Sequence, residues 1–182
     1  MSRIPLLPGD LVEPAELIDA IRARRGGTLL HLDRMLLHSP ALARAWNDYL
    51  GAIRGRLSIS SKLRELVICA VARLNGADYE FAQHAPEFRR AGGSAEALAA
   101  LHDLDAALAG EAPFDALERA ALRVTCELTR ELRVSEPAFA ALRAALPDAS
   151  QQVELIAVIA TYNMVSRFLI GCDVPPEDAE GG

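Results

Sequence analysis

Three side chains in this sequence have the types and spacing for chemistry: Glu65, Glu80 and His84. Glu80 and His84 stand at i and i+4 on a segment with helical periodicity, so the carboxylate can orient the imidazole and raise its basicity. A helical projection of that segment puts Ala77, Phe81, Ala85 and Phe88 on one stripe, with His84 inside it and Glu80 on its flank. Glu65 has Ile68 at i+3 and Cys69 at i+4, so its carboxylate shares a face with apolar side chains and points inward. Two carboxylates and an imidazole form an acid–base set. The plainer readings are that Glu65 pairs with the neighbouring Arg64 in the core and that His84 is a satisfied core residue. Pro86 takes away the bond to the Ala82 carbonyl and bends the helix just after His84, which suits a site or a mere kink.

These residues sit on a chain whose periodicity is helical throughout, with no alternating strand-like run. Stop signals and caps divide it. A first helix runs from Pro14 to Arg25 and ends at Gly26-Gly27, a short piece covers Leu32 to Leu37, and a helix from Pro40 to about Arg54 follows. Ser61 caps a helix from Lys62 to Leu74 that Asn75-Gly76 closes, and Leu66 to Ala72 is apolar at every position, the mark of burial on all sides. The Ala77 to Ala91 helix stops at Gly92-Gly93, Ser94 caps a short successor, and Gly110 to Phe114 is a loop. Helices over Asp115 to Arg133 and Glu136 to Leu146 follow. The last helix starts at Asp148, which has the capping-box spacing to Gln151, and reaches Leu169 or Ile170; its run Leu155 to Ala160 is apolar and reads as central. The tail from 177 to 182 is acidic and glycine-ended, and is expected to be disordered. The fold class is all-α, a bundle of about six to eight helices.

At 182 residues, one domain, or a compact domain with a short accessory segment, is expected, and apolar residues at 51% with aromatics at 5% leave alanine and leucine to fill the core. The net charge of -6 argues against nucleic acid and against anionic membrane surfaces as partners. The first residues lack the charged-then-apolar order of a secretion signal, and no segment reaches membrane-spanning length without a charge. Cys69, Cys126 and Cys172 stand far apart, as small buried residues of a reducing compartment do, so a cytoplasmic location is expected. Glu65, Glu80 and His84 offer three possible metal ligands, but the Glu-x-x-His pattern of di-iron bundles is absent, so neither metal nor cofactor is expected.

The run Arg64-Glu65-Leu66-Val67-Ile68, followed by Gly76-Ala77-Asp78-Tyr79-Glu80-Phe81-Ala82-Gln83-His84, resembles the central motif of the carboxymuconolactone decarboxylase-like group, which includes the AhpD-like alkylhydroperoxidases. The likeness extends upstream through His38-Ser39-Pro40 to Trp46. Downstream it takes in Glu154-Leu155-Ile156, Tyr162-Asn163-Met164, Arg167 and Val174-Pro175. It implies an AhpD-like domain over residues 34–176, preceded by a helical segment over 1–33.

In the group's peroxidase branch two cysteines precede the histidine; counting from Glu65, their positions fall on Ala77 and Glu80. Peroxide reduction by that route needs an attacking thiolate and a resolving thiol, and neither side chain supplies one. Cys69 has no partner cysteine nearby in sequence. The group's decarboxylase branch also works without the pair. The resemblance therefore implies lyase or isomerase chemistry on a small unsaturated carboxylic acid or lactone, in a homo-oligomer, a trimer or hexamer. On this reading His84 moves the proton, Glu80 orients and tunes it, and Glu65 is a second acid or base or polarises a water. Phe81 and Phe88 would wall the pocket, and Tyr162, Asn163 and Arg167 are candidate substrate contacts, Arg167 for a carboxylate held bidentately. The competing expectation is a catalytically silent helical oligomer.

Overall fold

The computed structural model describes residues 2–110 and 113–177. They fall into two compact units, Met1–Leu57 with Leu169–Gly182, and Ser58–Phe168. No strand occurs among the described residues. Seven of the ten α-helices have ten residues or more, and the other three are six-residue pieces.

The first unit holds α1 (Ala15–Arg25), α2 (His31–Leu36) and α3 (Pro40–Gly55). Apolar side chains at helical spacing, Leu17, Ile18 and Ile21 on α1 and Ala43, Trp46, Leu50 and Ile53 on α3, form its interior. Gly26 ends α1 in the left-handed conformation that glycine adopts without a Cβ penalty. Asp33 is buried against Arg25 at 3.0 Å and Arg24 at 3.6 Å. Of the tail expected from 177, Glu177 accepts hydrogen bonds from the His31 N–H at 3.1 and 3.2 Å. Residues 178–182 lie outside the described residues, as do 111 and 112 of the expected loop.

The second unit holds α4 (Ser61–Asn75), α5 (Asp78–Arg90), α6 (Ala95–Ala100), a 3-10 turn over 101–103, α7 (Leu104–Ala109), α8 (Ala116–Glu131) and α9 (Glu136–Ala145). Most of α10 (Ala149–Cys172) belongs to it as well. The N-cap of α4 is Ser60, not Ser61: its Oγ accepts from the Leu63 N–H at 3.2 Å. Adjacent serines leave the choice open in sequence, and the extended backbone of Ser60 decides it. Gly76 ends the helix in the left-handed conformation, and Leu66 to Ala72 is buried on every side, as the unbroken apolar run requires. Asp115 and Glu118 close a capping box at the start of α8.

Two readings of α10 are corrected. Asp148 accepts from the Ser150 N–H at 2.7 Å, while Gln151 turns its amide to the Ser58 carbonyl at 3.4 Å, so the expected capping box is not made. Nor is the run 155–160 buried throughout: Leu155, Val158 and Ile159 are interior, but Ala160 is exposed, as are Val153 and Met164 beside the run. Apolar composition fixed no face here. By length and composition alone α10 is apolar enough to cross a membrane, and half of its most apolar window is packed inside the fold.

A cluster of Leu66, Cys69, Ala70, Phe88, Leu101, Leu104, Phe114, Leu122 and Cys126 forms the interior that α4, α5 and α8 share. Phe88 is fully enclosed there, and the chain turns past it at Gly93, where an added Cβ would stand 2.2 Å from the ring. Gly93→Ala must push a ring that has no room to move. It is expected to destabilise the protein by about 1–3 kcal/mol, read as a lowered Tm; an unchanged Tm would show that the turn gives way instead.

Candidate active site

The site is built on α4 and α5, which pack against each other, and on the part of α10 around residue 162. Glu65, Glu80 and His84 are 3%, 2% and 6% exposed, so all three face inward, including Glu80 from the flank of its helical stripe. Glu65 carries the central contacts. Its Oε2 lies 2.6 Å from His84 Nδ1, and its Oε1 accepts from Arg64 Nε at 3.2 Å. The neighbouring arginine thus does pair with the buried acid, as the plainer reading requires, and the imidazole shares the same carboxylate.

The orienting partner of His84 is therefore Glu65 on α4, where spacing alone suggested Glu80. Residues at i and i+4 are neighbours along one helix, but an inward-pointing ring on α5 meets α4 head-on. Glu80 goes elsewhere: its Oε1 accepts from the Ser166 hydroxyl on α10 at 3.0 Å. Its other oxygen, Oε2, is sealed from solvent without a hydrogen-bond partner. Burial pushes the Glu80 carboxyl well above its ordinary range, and the Ser166 hydrogen bond only partly offsets this. The group is held as a neutral acid while an exposed glutamate would ionise.

Of the other expected contacts, the structure brings Tyr162 to the histidine: its ring meets the imidazole edge-on, with centroids 4.9 Å apart. Asn163 donates to Thr129 Oγ1 at 2.9 Å and to the Ile159 carbonyl at 3.0 Å, and accepts from Asn75 at 3.1 Å. Arg167 reaches back one turn to the Asn163 carbonyl and side-chain oxygen at 2.9 and 3.0 Å. Asn163 and Arg167 thus form a separate polar network. Phe88 belongs to the core cluster, and Phe81 packs at its edge beneath the Arg73 guanidinium, 3.5 Å from the ring centroid. Ser166 was missed in the sequence. The available signal was its position four residues after Tyr162 on an apolar helix, where a lone hydroxyl needs a partner.

Cys69 is buried near both carboxylates, and burial, reinforced by Glu65 and Glu80, pushes its thiol strongly upward. Burial likewise raises Cys126 to about 11. Neither is a ready thiolate. Among the described residues, no set of three His, Cys, Asp or Glu side chains is placed to share a metal ion.

Residues 40–125 match the model of the Carboxymuconolactone decarboxylase family. Among solved structures, the chain is similar to an uncharacterized peroxidase-related protein from Silicibacter sp. TM1040, with TM-score 0.79, 17% identity, and coverage of 99% of this chain and 93% of that one. It is similar also to an alkylhydroperoxidase AhpD core, an uncharacterized peroxidase-related protein from Ralstonia eutropha JMP134, with TM-score 0.77, 20% identity, and coverage of 98% and 93%. A third is the debrominase Bmp8 C82A in complex with 2,3,4-tribromopyrrole, with TM-score 0.76, 17% identity, and coverage of 98% and 95%. At these identities the likenesses show the fold, which is AhpD-like. No curated protein matches the sequence.

The raised Glu80 carboxyl has a consequence for stability. An unfolded glutamate ionises near 4.5, while the folded one holds its proton to higher pH, so stability falls as pH rises between those two values. Glu80→Gln keeps the acceptor for Ser166 and removes the titration. Its Tm advantage over the wild type should widen in thermal melts as pH rises above the ordinary glutamate value of 4.5; a constant gap would contradict the assignment.

Proposed function

We propose that the chain is a member of the carboxymuconolactone decarboxylase and AhpD-like group, whose family model matches residues 40–125, and that it acts there as a cofactor-free acid–base enzyme, a lyase or isomerase on a small unsaturated carboxylic acid or lactone. The observation that carries this reading is the buried 2.6 Å contact between Glu65 Oε2 and His84 Nδ1. A carboxylate on Nδ1 fixes the tautomer and orientation of the ring, stabilises the imidazolium, and assigns proton transfer to Nε2. Burial strengthens this coupling by keeping water away from it.

In a decarboxylation, the C–C bond to the departing CO2 breaks and its electron pair spreads onto the conjugated carbonyl. His84, protonated from solvent, then gives one proton to carbon. In an isomerisation, His84 takes a proton from the carbon beside the carbonyl and returns it at the far end of the double bond, with no change in composition. The complex of the similarly folded debrominase Bmp8 C82A with 2,3,4-tribromopyrrole supports a small ring compound as the kind of ligand. The apolar side chains that α10 exposes, Val153 and Met164, support a homo-oligomer, a trimer or hexamer. Thiol-based peroxide reduction has little support, since Ala77 and Glu80 hold the positions where the cysteines would stand and Cys69 is a buried neutral thiol.

His84→Gln keeps a polar side chain beside Glu65 but cannot shuttle a proton. With a panel of unsaturated lactone carboxylic acids, followed by CO2 release and by solvent deuterium incorporation, it should lose about 10²–10⁴ of the wild-type turnover while retaining its Tm. Undiminished turnover ends the reading. Hydroperoxide supplied with a thiol reductant should not be consumed above background by the wild-type protein.

A second reading draws on the burial of Glu65, Glu80 and His84: a catalytically silent helical oligomer whose polar trio is satisfied in the core. It requires that no panel compound be turned over or raise the Tm. Turnover that disappears in His84→Gln would exclude it.

A further inference from the structure

His84 and Glu80 on α5 both meet α10, at positions one helical turn apart on each helix. His84 meets the Tyr162 ring, and Glu80 accepts from Ser166. Because the pairs 84–162 and 80–166 run in opposite senses, the helices are antiparallel here. Glu80 therefore sits one rung from the imidazole, roughly 5–6 Å away at the Cβ atoms.

On that rung Ser166 occupies Glu80 Oε1, and Oε2 has no hydrogen-bond partner although it is sealed from solvent. An ionised carboxylate so placed would carry its charge into the core with a single hydroxyl to compensate. The neutral acid is the form this environment holds. Its proton belongs on Oε2, because Oε1 accepts from Ser166. The result is an O–H donor without an acceptor, one turn from the histidine that carries the proton. Ser166 on α10 and Cys69 on α4 lie near it, and one turn along its own helix His84 meets Glu65 and Tyr162.

We propose that Glu80 Oε2 is the hydrogen-bond donor for the carbonyl oxygen of the substrate, and that the substrate is accordingly an enolisable carbonyl compound whose reacting carbon faces His84. This rests on the acid–base reading of the site and adds the group that holds the oxygen. When His84 takes the proton, the C–H electron pair becomes the C=C of the enolate and the carbonyl π pair moves onto oxygen. The Glu80 O–H strengthens its hydrogen bond to that oxygen and keeps its own proton. A carboxyl kept neutral in an apolar site is a documented way to stabilise an enolate, and a donor aimed where charge develops contributes more than one that serves the ground state equally.

The probe is 4-nitrophenolate, a small planar oxyanion that mimics the enolate and reports binding through its absorption band at mildly alkaline pH. The wild-type protein should bind it. Glu80→Leu should weaken binding by at least about tenfold, the scale of one hydrogen bond to a charged oxygen. Glu80→Gln, whose amide still donates, should stay within about threefold of wild type on that scale. Glu80→Met stands in should the leucine variant fail to fold, with Tm as the check. His84→Gln should keep probe binding while losing turnover, so failure of the acid–base reading and failure of this proposal are seen separately. The proposal is overturned if the wild-type protein does not bind the probe or if Glu80→Leu binds it as tightly. A loss in His84→Gln equal to that in Glu80→Leu also overturns it, because the oxygen contact then belongs to the histidine.

Discussion

A carboxylate placed in a helical core has to be compensated, and the arrangement of this site follows from how Glu65 is compensated. The residue is 3% exposed and stands on a helix whose next seven positions, Leu66 to Ala72, are almost wholly enclosed. An unpaired charge there would cost several kcal/mol. Arg64 supplies a contact from the same helix and His84 supplies a second from α5. The second contact fixes the ring of His84, and with it the phase of α5. Once that phase is set, Glu80 one turn earlier is committed to the interior too, on a rung where Ser166 is its single hydrogen-bond donor.

The two buried glutamates meet different partners. Glu65 has a guanidinium and an imidazole beside it. Glu80 has a hydroxyl and apolar surroundings, the setting that favours the acid. Pairs of titratable groups whose surroundings push them apart are how one fold obtains both an acid and a base near neutral pH. Cys69, one turn from Glu65, shows the cost of the arrangement for sulfur: burial, with Glu65 beside it, holds its thiol protonated.

The helices and their ends could be read from the sequence because caps, glycines and apolar spacing are local signals. The exceptions are local too. Ser60 takes the capping role from Ser61 because two adjacent serines are equivalent on paper, and Gln151 leaves Asp148 for a carbonyl outside the helix, at Ser58. The inward direction of Glu65 and His84 was legible for the same reason. What spacing could not give was the partner across helices. The i to i+4 relation suggested Glu80 for His84, whereas α4 presents Glu65 to it directly. Arg167, a plausible carboxylate clamp by residue type, is taken up by Asn163 one turn away, and Asn163 is taken up by Thr129 and Asn75. Each of those choices depends on which helix lies next door.

The antiparallel rungs between α5 and α10 make the site a gauge of helix register. A rotation of α10 about its own axis would pull Tyr162 off the imidazole and Ser166 off Glu80 in the same movement, since both lie on one face. A slide of one full turn, about 5.4 Å, would set the serine hydroxyl opposite the histidine and leave the acid with no donor at all. Substitutions far along α10 that alter its seating would then be felt at both rungs together, without touching either one.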